Sequence, residues 1–128
     1  MSNDVGYAEN VEGQIMSNDN GWIGVDLDGT LARNDDHSLD WSQIGDPIEP
    51  MVRRVREWLV QGIDVRIMTA RVCYGDPDNS REDIEQWCIE QFGQKLPVTS
   101  EKDYKMLELW DDRAVQVIRN TGQRADGK

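Results

Sequence analysis

Residues 22–30 read WIGVDLDGT. From Trp22 to Leu27 the run is apolar apart from Asp26 and carries β-branched residues, which suits a central strand buried on both faces. It ends in Asp28-Gly29-Thr30, where Gly29 lets the backbone turn sharply and approach a ligand closely. Asp26 and Asp28 are two residues apart, so they point the same way if the strand continues.

Beyond this stretch lies a polar loop, then Ile48, Met51, Val52, Val55, Trp58 and Leu59 at the i, i+3, i+4 spacing of an amphipathic helix. Pro47 and Pro50 fall near its first turn, where a missing N–H costs little, and Gly62 is placed to stop it. IDVRIMT, from Ile63 to Thr69, alternates apolar and polar and predicts a second strand. After the Gly75-Asp76-Pro77 loop, Ser80 and Asp83 form a capping box ahead of Ile84, Trp87, Cys88 and Phe92, a second helical stripe ended by Gly93. Leu96–Val98, Met106–Trp110 and Val115–Ile118 read as further short strands. This alternation predicts an α/β fold, a parallel sheet flanked by helices.

In the other direction, residues 1–20 show no hydrophobic period and read as a disordered polar arm. Within the arm, MSND at Met1 recurs at Met16, too isolated a repeat to imply a repeat architecture. The arm lacks the basic and apolar regions of a signal peptide, so a cytoplasmic location is expected. Residues 21–121 form the expected domain and residues 122–128 a polar tail. One active site in one domain fits 128 residues.

A formal net charge of -11 argues against a protein that coats nucleic acid, which needs clustered Lys and Arg. No apolar run is long enough to span a bilayer. Cys73 and Cys88 do not make a metal or disulfide framework with a single histidine, His37, to help them. Cys88 falls on the buried stripe of a helix and reads as a small hydrophobe, and His37 as a solvated loop residue.

Parallel sheets bind ligands beyond the carboxyl ends of their strands. The residues there are Asp26 and Asp28, Thr69, and Asp111 and Asp112. Four carboxylates on one sheet edge repel unless a hard cation neutralises them, and an oxygen-only set without His or Cys favours Mg²⁺. A carboxylate can also attack phosphorus, with a second carboxylic acid beside it to protonate the leaving oxygen. Asp26 and Asp28 supply that pair.

These residues, taken together, resemble the haloacid dehalogenase superfamily over roughly residues 21–121. DLDGT from Asp26 to Thr30 looks like its first motif, Thr69 in IMTAR its second, Lys102 in TSEKD its third, and Asp111 and Asp112 in WDDRA its fourth. The resemblance implies a three-layer, Rossmann-like fold with a central parallel sheet, and no insert fits a large cap domain. It implies a magnesium-dependent phosphatase in which Asp26 is the nucleophile and Asp28 the acid and base. Thr69 and Lys102 would clamp the phosphoryl group, within a phosphate-binding set of Asp28, Gly29, Thr69, Ala70 and Lys102. Mg²⁺ would be held by Asp26, the main-chain carbonyl of Asp28, Asp111 and Asp112. Lys102 stands only nine residues before Asp111, leaving little room for a helix, and Lys105 is the fallback lysine.

A small phosphorylated substrate is the expected partner. A polynucleotide end and a homo-oligomer stay open, and no membrane partner is expected. Trp41 or Tyr74 is a candidate for stacking on a base or sugar. Arg71 and Arg113, next to motif residues, read equally as phosphate contacts or as ordinary ion-pair residues. A non-catalytic phosphate- or metal-binding module is the alternative from another class. A signalling receiver domain is disfavoured, because its acidic pair precedes the phospho-accepting aspartate.

Overall fold

The computed structural model describes residues 21–35, 43–73 and 77–128. His37, Trp41 and Tyr74, the residue-1–20 arm and residues 36–42 of the first loop lie outside that set. Among the described residues four strands alternate with two helices: β1 (Trp22–Val25), α1 (Glu49–Val60), β2 (Val65–Met68), α2 (Pro77–Phe92), β3 (Val98–Thr99) and β4 (Met106–Trp110). All pair in parallel, in the order β3-β2-β1-β4. The class is α/β, as the alternation predicts.

β1 is the apolar run at the centre, with all four residues buried. Val25 pairs with Ile67 of β2 on one side and with Trp110 of β4 on the other. Ile23, Val25, Val65 and Ile67 join Met51, Val52 and Val55 of α1 and Ile84, Trp87 and Cys88 of α2 in one buried cluster. Both helices therefore cover the same sheet face. Each strand residue buried there removes apolar surface from water, on the order of 2 kcal/mol for a Val or Ile side chain.

The opposite face is covered differently, and the expected third layer is not a helix among the described residues. The connection from β3 to β4 spans only residues 100–105, too few for a helix that packs back on a sheet. That segment reaches the sheet through Asp103, whose Oδ1 accepts a 2.9 Å hydrogen bond from the Trp22 indole. The Arg66 guanidinium lies 4.7 Å from the centroid of a Trp22 ring.

The elements differ from the sequence pattern in several places: β1 ends at Val25 and not at Leu27, and β2 covers Val65–Met68 of the Ile63–Thr69 run. α2 starts at Pro77, whose ring presets helical φ and whose missing N–H is no loss at a helix start, so Ser80 and Asp83 sit inside the helix and not at its cap. β3 is the two residues Val98 and Thr99, starting two residues and ending one residue later than the Leu96–Val98 pattern indicates. Val115–Ile118 is not a strand of the sheet: the chain folds back through Asn120 and Gly122, both at positive φ, and Val117 bridges Arg124 in antiparallel fashion. Gly62 and Gly93, also at positive φ, end α1 and α2 as expected.

Candidate active site at the carboxyl ends of the strands

Strand order reverses around β1: β2 follows it on one side and β4 lies on the other. The sheet opens a crevice beyond its carboxyl ends at such a point. A cleft of about 420 Å³ lies there, lined by Asp26, Asp28, Gly29, Thr69, Arg71 and Asp112 among others. Each strand delivers a lining residue just past its end: Asp26 after β1, Thr69 after β2, Ser100 after β3 and Asp111 after β4.

β1 stops at Val25, and the next residues form a tight turn in place of an extended strand. Asp26 N–H still donates to Trp110 O at 2.9 Å, while Leu27 O accepts from the N–H groups of Leu31 and Ala32 at 3.0 and 2.9 Å. Leu27 is fully buried. It anchors the turn while the carboxylates on either side of it face the cleft. Gly29 is required here twice over. Its φ is +91°, and a Cβ built on it would come within 2.6 Å of Asp112 Oδ2.

The turn splits the carboxylates that the sequence grouped together. Asp26, Asp111 and Asp112 converge, with one oxygen from each within 4.8 Å of the others. Burial pushes the Asp26 carboxyl up to about 8, reinforced by the charge of Asp111 and by the Asp112 carboxylate beside it. A carboxylate in such surroundings is held proton-bearing until a cation offsets the negative charge. The oxygen-only donor set fits a hard divalent ion. Thr30 braces this side: its hydroxyl donates to Asp112 Oδ1 at 3.3 Å and accepts from Asp112 N–H at 3.1 Å. Arg113 N–H donates to Asp111 Oδ1 at 2.7 Å.

The Asp28 carboxylate belongs to the other side of the cleft. Arg71, buried at 5% exposure, grips it with two hydrogen bonds, Nε to Oδ2 at 2.8 Å and Nη2 to Oδ1 at 2.9 Å. The same Nη2 donates to Gln43 O at 2.9 Å. The Arg71 main-chain N–H donates to Thr69 Oγ1 at 3.1 Å. With its oxygen accepting that bond, buried Thr69 keeps its hydroxyl hydrogen to donate to a ligand.

Asp26, Asp28, Gly29, Thr69, Ala70, Asp111 and Asp112 thus all line one cleft. Lys102 is exposed on the β3–β4 connection and is not a lining residue, and Lys105 is likewise exposed. Among the described residues, the cations that line the cleft are Arg71 and Arg113. The sequence leaves Arg71 open between a phosphate contact and an ion-pair role, and the ion pair is the one observed, with Asp28. Ser100 was missed for a plainer reason: β3 ends one residue later than the pattern indicated.

Cys88 is fully buried, and burial pushes its thiol up to about 12, consistent with a small packing residue. Cys73 is exposed at the cleft. No helix among the described residues is long and apolar enough to cross a membrane. No protein-family model matches the chain, and neither a curated protein nor a solved structure does.

Proposed function

We propose that the chain is a phosphomonoester hydrolase of the haloacid dehalogenase type, capless, magnesium-dependent and acting on a small phosphorylated metabolite or nucleotide. The observation that carries this reading is the convergence of Asp26 with Asp111 and Asp112 at the carboxyl end of the central strand, with Asp28 and Thr69 lining the same cleft. A phosphoryl group needs a nucleophile, an acid and charge neutralisation within reach of one another.

Asp26, Asp111, Asp112 and the Asp28 main-chain carbonyl are the groups that would hold Mg²⁺. When bound, the ion would neutralise the carboxylates and the phosphate oxygens, leaving Asp26 ionised as a nucleophile. The Asp26 carboxylate attacks phosphorus and forms an acyl-phosphate bond as the bond to the leaving oxygen breaks. The electron pair stays on that oxygen, which takes a proton from Asp28. Asp28 then accepts a proton from the water that attacks phosphorus, the bond to Asp26 breaks, and orthophosphate leaves. Thr69 donates its hydroxyl to a phosphoryl oxygen. Lys102 is exposed, and Arg113, next to Asp112 in sequence, is a cation that lines the cleft.

The test is magnesium-dependent phosphate release from a panel of sugar phosphates, nucleotides and aryl phosphates, run beside Asp26→Asn. The reading predicts release that chelator and the variant both abolish. Magnesium binding without release from any ester would favour a non-catalytic binding module, the reading to which the position of Lys102 lends support.

A further inference from the structure

Asp28 in this cleft is held by more contacts than a proton donor needs. Both of its oxygens are taken by one guanidinium, and its side chain is 18% exposed against 6% for Arg71. A bidentate grip of this kind fixes the plane and direction of a carboxyl group. A carboxyl oxygen that carries a proton accepts less well, so protonating Asp28 weakens one of these two bonds. The two bonds are not equivalent. Nε makes its bond to Oδ2, whereas Nη2 is shared between Oδ1 and the Gln43 carbonyl. Releasing Oδ1 therefore leaves Nη2 with an acceptor, and a buried guanidinium pays no penalty for an unsatisfied donor. Releasing Oδ2 offers Nε no such alternative among its hydrogen bonds.

We propose that Arg71 is the positioning residue for Asp28 in this hydrolysis, keeping Oδ2 through Nε and yielding Oδ1 as the oxygen that carries the transferred proton. The proposal rests on the hydrolase reading above. Asp28 enters the first step protonated on Oδ1, with Nη2 turned to the Gln43 carbonyl, and that proton moves to the leaving oxygen as the phosphorus–oxygen bond breaks. In the second it returns to Oδ1 from the attacking water. Arg71 makes no bond to phosphorus and loses no proton. Its main-chain bond to Thr69 ties the acid and the phosphoryl-binding hydroxyl to a single short turn past β2.

A residue that acts through the acid matters most when the leaving group needs protonation. An alkyl phosphate needs it, whereas p-nitrophenyl phosphate expels a stable anion and needs little. The experiment compares glycerol phosphate with p-nitrophenyl phosphate for the full chain in magnesium, as the native protein, Arg71→Lys, Asp28→Asn, the double variant and Asp26→Asn. Lysine keeps the charge but cannot make the fork. The expected result for Arg71→Lys is a kcat on glycerol phosphate lower by roughly 10²-fold, in the range for loss of acid catalysis. On p-nitrophenyl phosphate the expected loss is less than about tenfold, with KM little changed for either ester. In the Asp28→Asn background the lysine substitution should cost nothing more.

Equal losses on the two esters, a rise in KM on both, or a full further loss in the Asp28→Asn background would overturn the positioning role. If those results accompany hydrolysis that Asp26→Asn abolishes, the hydrolase reading stands and the Arg71 proposal falls alone. If the native protein hydrolyses neither these two esters nor any other of the panel, or Asp26→Asn retains full activity, both fall. Should Arg71→Lys fail to fold, the Arg71 Nε–H resonance of the native protein with magnesium and orthovanadate replaces it. A protected resonance that persists on adding vanadate supports the retained Nε bond, and its loss overturns it.

Discussion

On the β2 side of the cleft, Asp28 sits in a buried fork from Arg71, which is itself tied to Gln43 and Thr69. On the β4 side, Asp26, Asp111 and Asp112 bring three carboxylates within reach of one another, and their proximity helps hold Asp26 in its protonated form. The first side is complete as folded: its charges are paired and its hydrogen bonds made. Charge on the second side is balanced only when a proton or a cation is added. On the proposed reading the difference separates two tasks. Positioning is built into the fold, and charge neutralisation is left to what binds.

The largest expected effects follow from removing the acid. Asp28→Asn should lower kcat on alkyl phosphates by roughly 10²–10⁴-fold, checked by steady-state phosphate release. The same variant should leave magnesium affinity nearly as it was, because its carboxylate stands apart from the acidic cluster; a large loss of affinity would blur the division between the two sides. Arg71→Ala should destabilise the chain by on the order of 3 kcal/mol in urea unfolding, since it strands a carboxylate that is mostly buried. Asp112→Asn should cost far less in the metal-free protein, or stabilise it, by removing one charge from the acidic cluster of Asp26, Asp111 and Asp112. Comparable losses from the two would erase the contrast.

Next in size is a pH effect. The Asp26 carboxyl moves from its ordinary value of 3.8 to about 8 on folding, so between those values the folded chain binds a proton that the unfolded chain has lost. Metal-free stability should therefore fall as pH rises from about 4 to about 8, by on the order of 5 °C in Tm once solvent screening of this partly exposed group is allowed for. Magnesium affinity should rise over the same interval, because the ion competes with that proton. Asp26→Asn should flatten the stability trend, and a native trend of opposite sign would contradict the assignment. Smallest is Thr30→Val, which removes the hydroxyl that brackets Asp112 and should cost about 1 kcal/mol, with a modest loss of magnesium affinity measured by calorimetry.

The two sides also differ in how far the sequence reveals them. Asp26, Thr69, Asp111 and Asp112 were legible because each ends an apolar or alternating run, and the carboxyl ends of parallel strands meet at one edge. The strands themselves were legible for the same reason, and β4 matches its pattern from Met106 to Trp110. Pairing of Arg71 with Asp28 was not legible. The two are 43 residues apart, and no local period says which of several nearby partners a guanidinium will take. Lys102 lies in an aperiodic connection whose path depends on the whole sheet. The Val115–Ile118 segment alternates like a strand, but alternation cannot say whether a sheet edge will accept it. Its Val115 and Val117 remain about half exposed.

The account stands most directly on Asp26 as the nucleophile. Rapid acid quench of the native chain with magnesium and a phosphomonoester, followed by peptide mass spectrometry, reads that role without reference to the preferred substrate. The account predicts a phosphoryl group on Asp26 that appears before free phosphate accumulates and is absent in Asp26→Asn. Phosphate release with no phosphoryl group on Asp26 during turnover, at full rate in Asp26→Asn, would contradict it.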